Sequence, residues 1–289
     1  MRVYKNEQGE CAVVAKLENS NVNGSVRPLL KWTGGKRALA PEIIPLLEGY
    51  GRYFEPFFGG GAVFFQLYPK SSVLSDLNPE LINCYETTKK HPEELIASLK
   101  RLKNTEATYY KVRASAPRTA VTRAARFIYL CALSFNGIYR VNLSGQFNVP
   151  YGRKEHIHPC DADLIRSISK RLQTCEILCA DFEQSASKAI VGDCVYFDPP
   201  YTVAHGNNGF VKYNEKIFSW KDQERLEAFA RNLAAQGVRV VVSNADHPSI
   251  RGLYKAFNVR TVERWSKISA AAEGRKKITE CVFYLGGQQ

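Results

Sequence analysis

The residues best suited to chemistry are Asp198-Pro199-Pro200-Tyr201, which directly follow the apolar run Val195-Tyr196-Phe197. The apolar run predicts a buried strand, so the carboxylate stands at the carboxyl end of that strand. Proline fixes φ and has no N–H, which leaves backbone carbonyls at this point without a local donor. A carboxylate, a carbonyl and an aromatic face together form a rigid rim that suits a planar group carrying an NH2, such as a nucleobase amine. The alternative is that the two prolines simply end the strand.

Two glycine-containing stretches nearer the amino terminus could bring a small ligand close to the backbone. In residues 29–36, an indole and a lysine flank a pair of glycines. This stretch is not a phosphate-binding P-loop, because Lys36 is followed by Arg37 rather than by serine or threonine. Residues 53–65 predict a strand, a glycine turn and a helix, which form the first unit of a nucleotide-binding fold. A structural tight turn is the alternative for the second stretch.

Asp76 strengthens the nucleotide interpretation, since it ends the predicted strand 73–76 and could accept both hydroxyls of a ribose. The glycine turn lacks the Gly-x-Gly-x-x-Gly spacing of dinucleotide sites, and Glu55 precedes it. The sequence therefore favours a ligand with a ribose and no pyrophosphate over NAD.

An α/β framework must position these residues, because predicted strands and helices alternate on both sides of a long helical stretch. A helix that opens at Lys36 is predicted to run to about Glu48. Asn78-Pro79 then begins the helical stretch by N-cap chemistry. Its predicted helices are 79–90, 92–102, 106–115 and 119–134. The later predicted elements are helices 161–173, 222–236 and 249–257 and strands 176–180, 194–197, 238–243, 258–265 and 280–285.

The helical stretch is too long for one crossover between strands, so it predicts an inserted domain. We expect a catalytic domain formed by residues 26–78 and 161–289, an inserted domain over residues 79–160 and a poorly structured leader over residues 1–25. Loops are predicted over 202–214 and 270–278. The two last strands predict an antiparallel hairpin at one edge of the sheet.

A polyanionic partner is indicated by 40 Lys and Arg against 28 Asp and Glu, a formal net charge of +12. Seven basic residues and one acid, Glu106, lie between Arg101 and Arg126 in the inserted domain. A solvated helix face is the alternative, but such a face usually mixes signs. The sequence contains no run of about 18 apolar residues, so it predicts no membrane span. No metal is expected, since His156 and His158 have no Cys-x-x-Cys nearby.

The inserted domain ends in residues 135–153, here called the ribbon, where Asn-Gly and Ser-Gly pairs interrupt alternating apolar residues and predict a β-hairpin. Its arginines, asparagines and glutamine are side chains that read guanine and adenine in the major groove of DNA, which a β-ribbon fits. The alternative is a polar turn whose asparagines hydrogen-bond their own backbone.

In their order and spacing, these motifs resemble those of the Dam-type, alpha-class DNA adenine N6-methyltransferases over about residues 28–285. The matching stretches are Lys31-Trp32-Thr33-Gly34-Gly35-Lys36, Glu55-Pro56-Phe57 with Gly59 and Gly61, Asp76, residues 139–152 and Asp198-Pro199-Pro200-Tyr201. The resemblance implies a Rossmann-like, S-adenosylmethionine-dependent methyltransferase sheet with an inserted target-recognition domain that carries a hairpin. It implies methyl transfer from S-adenosylmethionine to N6 of an adenine that is flipped out of duplex DNA.

The resemblance also implies roles for single residues. The Asp198 carboxylate and the Pro199 carbonyl would accept the two N6 hydrogens, Tyr201 would stack on the base, and Pro200 completes the catalytic tetrapeptide. The residues implied to bind the cofactor are Trp32, Lys36, Glu55, Phe57, Gly59, Gly61, Asp76, Asp181, Phe182 and Asp198.

The expected DNA contacts divide into readout and backbone contacts. Lys31, Ile138, Arg140 and Pro150 match the positions that family members methylating GATC use for readout, with isoleucine in place of their leucine. GATC is therefore the predicted site. The expected phosphate and backbone contacts are Asn136, Asn142, Asn148 and Arg153.

Double-stranded DNA is the expected partner, bound by a monomer or a weak dimer in the cytoplasm, at the nucleoid, of a bacterial or phage-encoded protein. A cognate restriction endonuclease acting on the same site is left open as a further partner. Two rival functions are also left open. One is the same chemistry on RNA, against which the unreadable major groove of A-form RNA argues. The other is a catalytically idle DNA-binding regulator.

Overall fold

A computed structural model describes residues 3–5, 11–13, 26–32, 34–142, 144–202, 218–265 and 277–287. Within the predicted leader, strands β1 (Val3–Lys5) and β2 (Cys11–Val13) pair antiparallel. The rest of residues 1–25 lies outside the described residues. The predicted loops over 202–214 and 270–278 also lie outside them, except for Thr202 and for two residues that belong to the last strand.

The described residues form a sheet of seven strands, ordered β5-β4-β3-β6-β7-β9-β8. The strands are β3 (Tyr53–Glu55), β4 (Ser72–Asp76), β5 (Cys175–Cys179), β6 (Cys194–Phe197), β7 (Arg239–Ala245), β8 (Asn258–Trp265) and β9 (Lys277–Leu285). The first five in spatial order run parallel, and β9 is antiparallel to both β7 and β8. This arrangement confirms the predicted α/β class and the antiparallel hairpin at one edge.

Both faces of the parallel strands are covered, as continuous apolar strands require. Along β6, Cys194 and Tyr196 belong to one hydrophobic cluster, whereas Val195 and Phe197 belong to the cluster on the other face. All four side chains are at least 98% buried. The strand that precedes the acidic tetrapeptide is therefore anchored on both sides.

The predicted helix over 36–48 is shorter in the structure. Helix α1 covers Ala40–Ile43, and a 3-10 turn follows over Ile44–Leu46. Pro45 has no N–H to continue the α-helical hydrogen bonds, which explains the early end. Helix α2, after the glycine turn, is likewise short and covers Phe64–Leu67.

The helical stretch follows its prediction closely. Its helices are α3 (Pro79–Lys90), α4 (Pro92–Lys100), α5 (Glu106–Ala114) and α6 (Ala120–Leu133). The Asn78 side chain caps α3 by accepting from the N–H groups of Glu80 and Leu81. One continuous hydrophobic cluster joins these helices to one face of the sheet. The boundary at residue 79 thus separates elements that share a core, and the domain division stays a prediction.

The remaining helices cover the sheet after the inserted stretch. They are α7 (Ala162–Leu172), α8 (Phe182–Ala186), α9 (Trp220–Ala235) and α10 (Pro248–Leu253). Among the helices of the described ranges, none is long and apolar enough to cross a membrane.

Candidate active site

Acidic side chains meet at the carboxyl edge of the parallel strands. Glu55 ends β3, Asp76 ends β4, and Asp198 directly follows β6. Because neighbouring parallel strands end at the same edge of a sheet, the topology gathers residues that are far apart in the sequence. The same edge carries Ser243 of β7.

Asp198 lies at the centre of this edge and is held by two donors. Its Oδ1 is 2.7 Å from the Lys36 ammonium and accepts a 2.8 Å hydrogen bond from Ser243 Oγ. The Ser243 proton is thereby used, so the Tyr196 hydroxyl donates to Ser243 Oγ across 2.9 Å. Burial raises the pKa of Asp198, while the positive charge of Lys36 opposes that rise.

Lys36 is itself buried, with 6% of its surface exposed. Besides the contact with Asp198, its Nζ donates to the Gly34 carbonyl across 2.9 Å and lies 4.7 Å from the ring centroid of Tyr201. The structure therefore brings three predicted residues, Lys36, Asp198 and Tyr201, into one pocket.

Tyr201 is fixed at its outer end by a residue that the sequence interpretation missed. Its hydroxyl donates to Glu280 Oε2 across 2.6 Å, and Glu280 lies 2% exposed in β9. Burial raises the pKa of Tyr201 well above its usual range, and the charges of Glu280 and Asp198 add to that rise. The sequence did carry one signal for Glu280, because an acidic residue within the largely apolar strand Lys277–Leu285 needs a buried partner. We call Lys36, Asp198, Tyr201, Ser243 and Glu280 the acceptor pocket.

The proline pair is braced by two buried amides, which the sequence interpretation also missed. Gln223 Nε2 donates to the Pro200 carbonyl across 3.2 Å, and Asn244 Nδ2 donates to Gln223 Oε1 across 3.0 Å. Asn244 Oδ1 in turn accepts from the Ala245 N–H. Both amide side chains are fully buried, so they connect the backbone after Asp198 to the end of β7.

Glu55 lies on the same edge but is turned inward. Its Oε2 accepts a 2.8 Å hydrogen bond from the Tyr53 hydroxyl, and 3% of the residue is exposed. Burial raises the pKa of Glu55 well above its usual range, and the charge of Asp198 adds to that rise. Burial and the neighbouring charge therefore both shift Glu55 toward its protonated form.

Asp76 organises the glycine turn. Its two oxygens accept from the N–H groups of Gly59, at 3.0 Å, and Asn78, at 2.9 Å. A carboxylate has about four acceptor positions, so Asp76 keeps capacity for a further donor. Gly59 and Gly61 have left-handed φ of 48° and 66°.

Trp32 packs directly on this turn. A Cβ added at Gly59 would lie 2.8 Å from Trp32 Cδ1, so this glycine is required by the indole as well as by its φ. The indole also stacks on Tyr139 of the ribbon, with ring centroids 5.5 Å apart. Trp32 therefore connects the glycine turn to the ribbon.

The end of β5 carries the last two predicted cofactor residues. Asp181 caps α8 and pairs with Arg225 across 2.9 Å. Phe182 is 2% exposed, and the half-buried Phe57 stacks on it with centroids 5.5 Å apart. A flat ligand at this strand end would thus meet Phe57 before Phe182.

The ribbon is paired less regularly than predicted. A β-bridge joins Val141 to Phe147, and a second bridge joins Ser134 to Tyr151; neither extends into a ladder. Left-handed φ values at Asn136 and Arg153, of 55° and 51°, interrupt the extended conformation at the two ends. The predicted hairpin is therefore an irregular loop with hairpin-like pairing.

Three of the predicted DNA contacts, Arg140, Asn142 and Asn148, are bonded within the ribbon. Asn142 Oδ1 accepts from the N–H groups of Ser144 and Gln146, as in the alternative interpretation of a self-capping turn. Arg140 Nε donates to Asn148 Oδ1 across 2.8 Å. The Arg140 guanidinium has five N–H donors, so this contact leaves most of them available.

The other predicted DNA contacts are mostly solvent-accessible. Asn136, Pro150 and Arg153 are exposed, and Ile138 is half-buried. Lys31 is exposed at its end, but its stem packs on the ribbon: a Cβ added at Gly137 would lie 2.8 Å from Lys31 Cδ. The structure therefore brings Lys31 to the ribbon from a distant part of the sequence.

The basic cluster of the insertion is partly structural. Arg123 pairs with Glu80, Arg126 donates to the Val112 and Arg113 carbonyls, and Arg113 donates to the Val149 carbonyl. The four other basic residues of the cluster are exposed: Arg101, Lys103, Lys111 and Arg118. The cluster thus both fastens the ribbon to the helices and presents positive charge.

A mostly parallel sheet with an acid-Pro-Pro-aromatic pocket and a glycine turn at its carboxyl edge is typical of an α/β enzyme that binds its ligands at the strand ends. The sequence profile of the D12 class of N6 adenine-specific DNA methyltransferases matches residues 32–268. The chain belongs to this family and is an adenine-specific DNA methyltransferase.

Individual relatives agree with this assignment. The chain is 42% identical over 277 residues to the Type II methyltransferase M1.LlaDCHI of Lactococcus lactis subsp. cremoris, covering 92% of this chain and 97% of the relative. It is 36% identical to the Type II methyltransferase M.MjaIII of Methanocaldococcus jannaschii, over 87% and 96% of the two chains. It is 31% identical to the DNA adenine methylase of Salmonella typhi, over 88% and 93%.

Proposed function

We propose that the chain transfers a methyl group from S-adenosylmethionine to N6 of an adenine that is flipped out of duplex DNA, within GATC. The observation that carries this proposal is the acceptor pocket. In it, a half-buried carboxylate and a fixed aromatic ring flank two prolines, and the glycine turn follows the neighbouring strand.

The pocket fits the chemical difficulty of the reaction. The N6 lone pair is delocalised into the purine ring and is a poor nucleophile. Hydrogen bonds from N6 to the Asp198 carboxylate and to the Pro199 carbonyl would favour sp3 character and stabilise the positive charge that develops there. Stacking on Tyr201 would hold the ring in line for transfer. Because N6 cannot be reached inside the duplex, the base must leave the stack.

The residues present fit S-adenosylmethionine, which supplies an electrophilic methyl group when bound. Asp76 keeps acceptor capacity for a ribose hydroxyl. Phe57, which follows the neighbouring strand β3, offers a half-buried ring. Thr202 Oγ1, next to Tyr201, is buried and has no hydrogen-bond partner in the described part of the chain. Trp32, Lys36 and the Gly59 turn would border the same ligand.

The ribbon supports GATC as the site. Arg140 would read guanine with the N–H donors that Asn148 leaves free, and Ile138, Pro150 and Lys31 would complete the readout surface. Asn136 and Arg153 would contact phosphates. Asn142 and Asn148, which are bonded inside the ribbon, would support its shape and add backbone contacts.

Methylation of RNA is the nearest rival, because the pocket would accept any planar amine. The test is transfer of labelled methyl from S-adenosylmethionine when duplex DNA and structured RNA compete, followed by digestion to nucleosides. We expect label in DNA as N6-methyladenine. Label in RNA, or in a cytosine product, would contradict the proposal.

We also propose a cognate restriction endonuclease as a partner, because two similar proteins are named Type II methyltransferases. We propose a monomer or weak dimer on DNA, acting at the nucleoid in the cytoplasm. DNA from cells that express the chain should resist an endonuclease that N6-methyladenine in GATC blocks. Unchanged cleavage would contradict both the site and the partner.

A further inference from the structure

The acceptor pocket holds a buried positive charge on the surface that the target base needs. A lysine ammonium has three donors. In Lys36 they face Asp198 Oδ1 at 2.7 Å, the Gly34 carbonyl at 2.9 Å and the Tyr201 ring at 4.7 Å from its centroid. Each of the three donors of the ammonium therefore has a partner within the protein.

An incoming adenine claims two of these three partners, an inference that rests on the proposed function. Its amine needs the Asp198 carboxylate, and its ring needs the face of Tyr201. Stacked rings approach to about 3.5 Å. An ammonium 4.7 Å from the centroid of Tyr201 lies within the space that such a ring would fill.

We propose that Lys36 is a placeholder for the target base, which occupies the pocket until an extruded adenine displaces its ammonium from Tyr201. The third partner, the Gly34 carbonyl, is not claimed by the base. It can keep one Lys36 N–H donor while the ammonium swings away from the ring. Lys36 is thus a positioning residue that competes with the base for the empty pocket.

The charges around Asp198 explain the use of a cation at this point. Glu280 of β9 adds to the rise in the pKa of Asp198, and Asp198 adds to the rise in the pKa of Glu55 of β3. Among the hydroxyls, Ser243 bonds Asp198 directly, whereas Tyr196 and Tyr201 bond Ser243 and Glu280. Lys36 is the positive charge that adjoins this carboxylate among the described residues. Its charge lowers the pKa of Asp198 against the rise that burial causes, which favours the carboxylate that would accept the N6 hydrogens.

The test compares Lys36→Gln with wild type and with Arg37→Gln, an exposed neighbouring cation outside the pocket. The probe is a duplex with 2-aminopurine at the adenine that the enzyme methylates, and its fluorescence rises when the base leaves the stack. Without cofactor, we expect Lys36→Gln to extrude the base severalfold more than wild type. At saturating cofactor and DNA, we expect its single-turnover rate to fall at least tenfold and the acid limb of its pH profile to move to higher pH. Arg37→Gln should match wild type in both measurements.

Lys36→Arg is the second variant, because it keeps the charge and should keep the base out. Thermal unfolding and DNA affinity of each variant establish that it is folded. The proposal is overturned if Lys36→Gln extrudes the base no more than wild type while wild type with cofactor extrudes it normally. If wild type with cofactor shows no extrusion, base flipping fails, and the placeholder fails with it.

Discussion

The acceptor pocket and the ribbon satisfy their polar groups in opposite ways. In the pocket, Asp198 and Glu280 are bonded by partners from distant strands and loops, inside the core. In the ribbon, Arg140 and Asn142 are bonded by residues a few positions away, at the surface. Apart from the Lys36 ammonium, the pocket is therefore held by the fold before substrate arrives, whereas the ribbon would have to exchange local bonds for contacts with DNA. We expect chemistry and sequence specificity to be separable by mutation.

The largest effect is expected from Asp198→Ala. Loss of a preorganised acceptor at a developing charge costs about 10²–10³-fold in rate, and this variant also leaves the Lys36 ammonium without its carboxylate. Single-turnover methyl transfer measures the loss, and DNA affinity should stay within about threefold of wild type. Asp163→Ala, a solvent-exposed aspartate on α7, is the matched control. A wild-type rate for Asp198→Ala would remove this pocket from the mechanism.

The pocket and the ribbon should also differ in how their functions depend on pH. Burial raises the pKa of Asp198, and its carboxylate must be ionised to accept both N6 hydrogens. The single-turnover rate should be full above that pKa and fall up to tenfold per pH unit below it. The ribbon contains no acidic residue or histidine, so DNA affinity should not follow the same limb. If the single-turnover rate and the DNA affinity fall over the same pH range, the pocket and the ribbon are not separable in this way.

Arg140→Ala should change specificity more than chemistry. A bidentate arginine contact with guanine is worth about 1–3 kcal/mol of discrimination. Methylation rates on GATC and on single-substituted sites should therefore converge by about 10–100-fold, while N6-methyladenine remains the product. If the variant loses affinity equally for every sequence, Arg140 contacts only the backbone.

The smallest effect is expected from Asn142→Ala. Its side chain accepts two N–H groups of an exposed turn, which water can replace, so folding stability should fall by about 1 kcal/mol or less. DNA affinity should weaken modestly, and the single-turnover rate of bound enzyme should not change. A strong loss of rate would show that the ribbon and the pocket are coupled.

The sequence was sufficient for the parts of the fold that local chemistry determines. Asn78-Pro79 begins α3 as predicted, and the apolar residues before Asp198 form β6. The ribbon was only partly predictable, because left-handed residues such as Asn136 divide its pairing into single bridges. Pro45 shortened a helix whose apolar pattern continued.

The pocket residues that belong to sequence motifs were predictable, but the residues that support them were not. Glu280 and Gln223 reach the tetrapeptide only because β9 inserts beside β7 and α9 packs over the sheet. Such partners lie far away in the sequence and have no spacing of their own. The strand order that joins them is a property of the whole sheet.

In the proposed function, one pocket at the edge of the sheet selects an adenine amine, while a separate surface ribbon selects the sequence around it. Single-molecule sequencing of plasmid DNA from a methylation-deficient host that expresses the chain reports the modified base and its motif together. We expect N6-methyladenine, confined to GATC. A modified cytosine would contradict the proposed function. Unmodified DNA from cells whose protein is folded and binds DNA would contradict it as well.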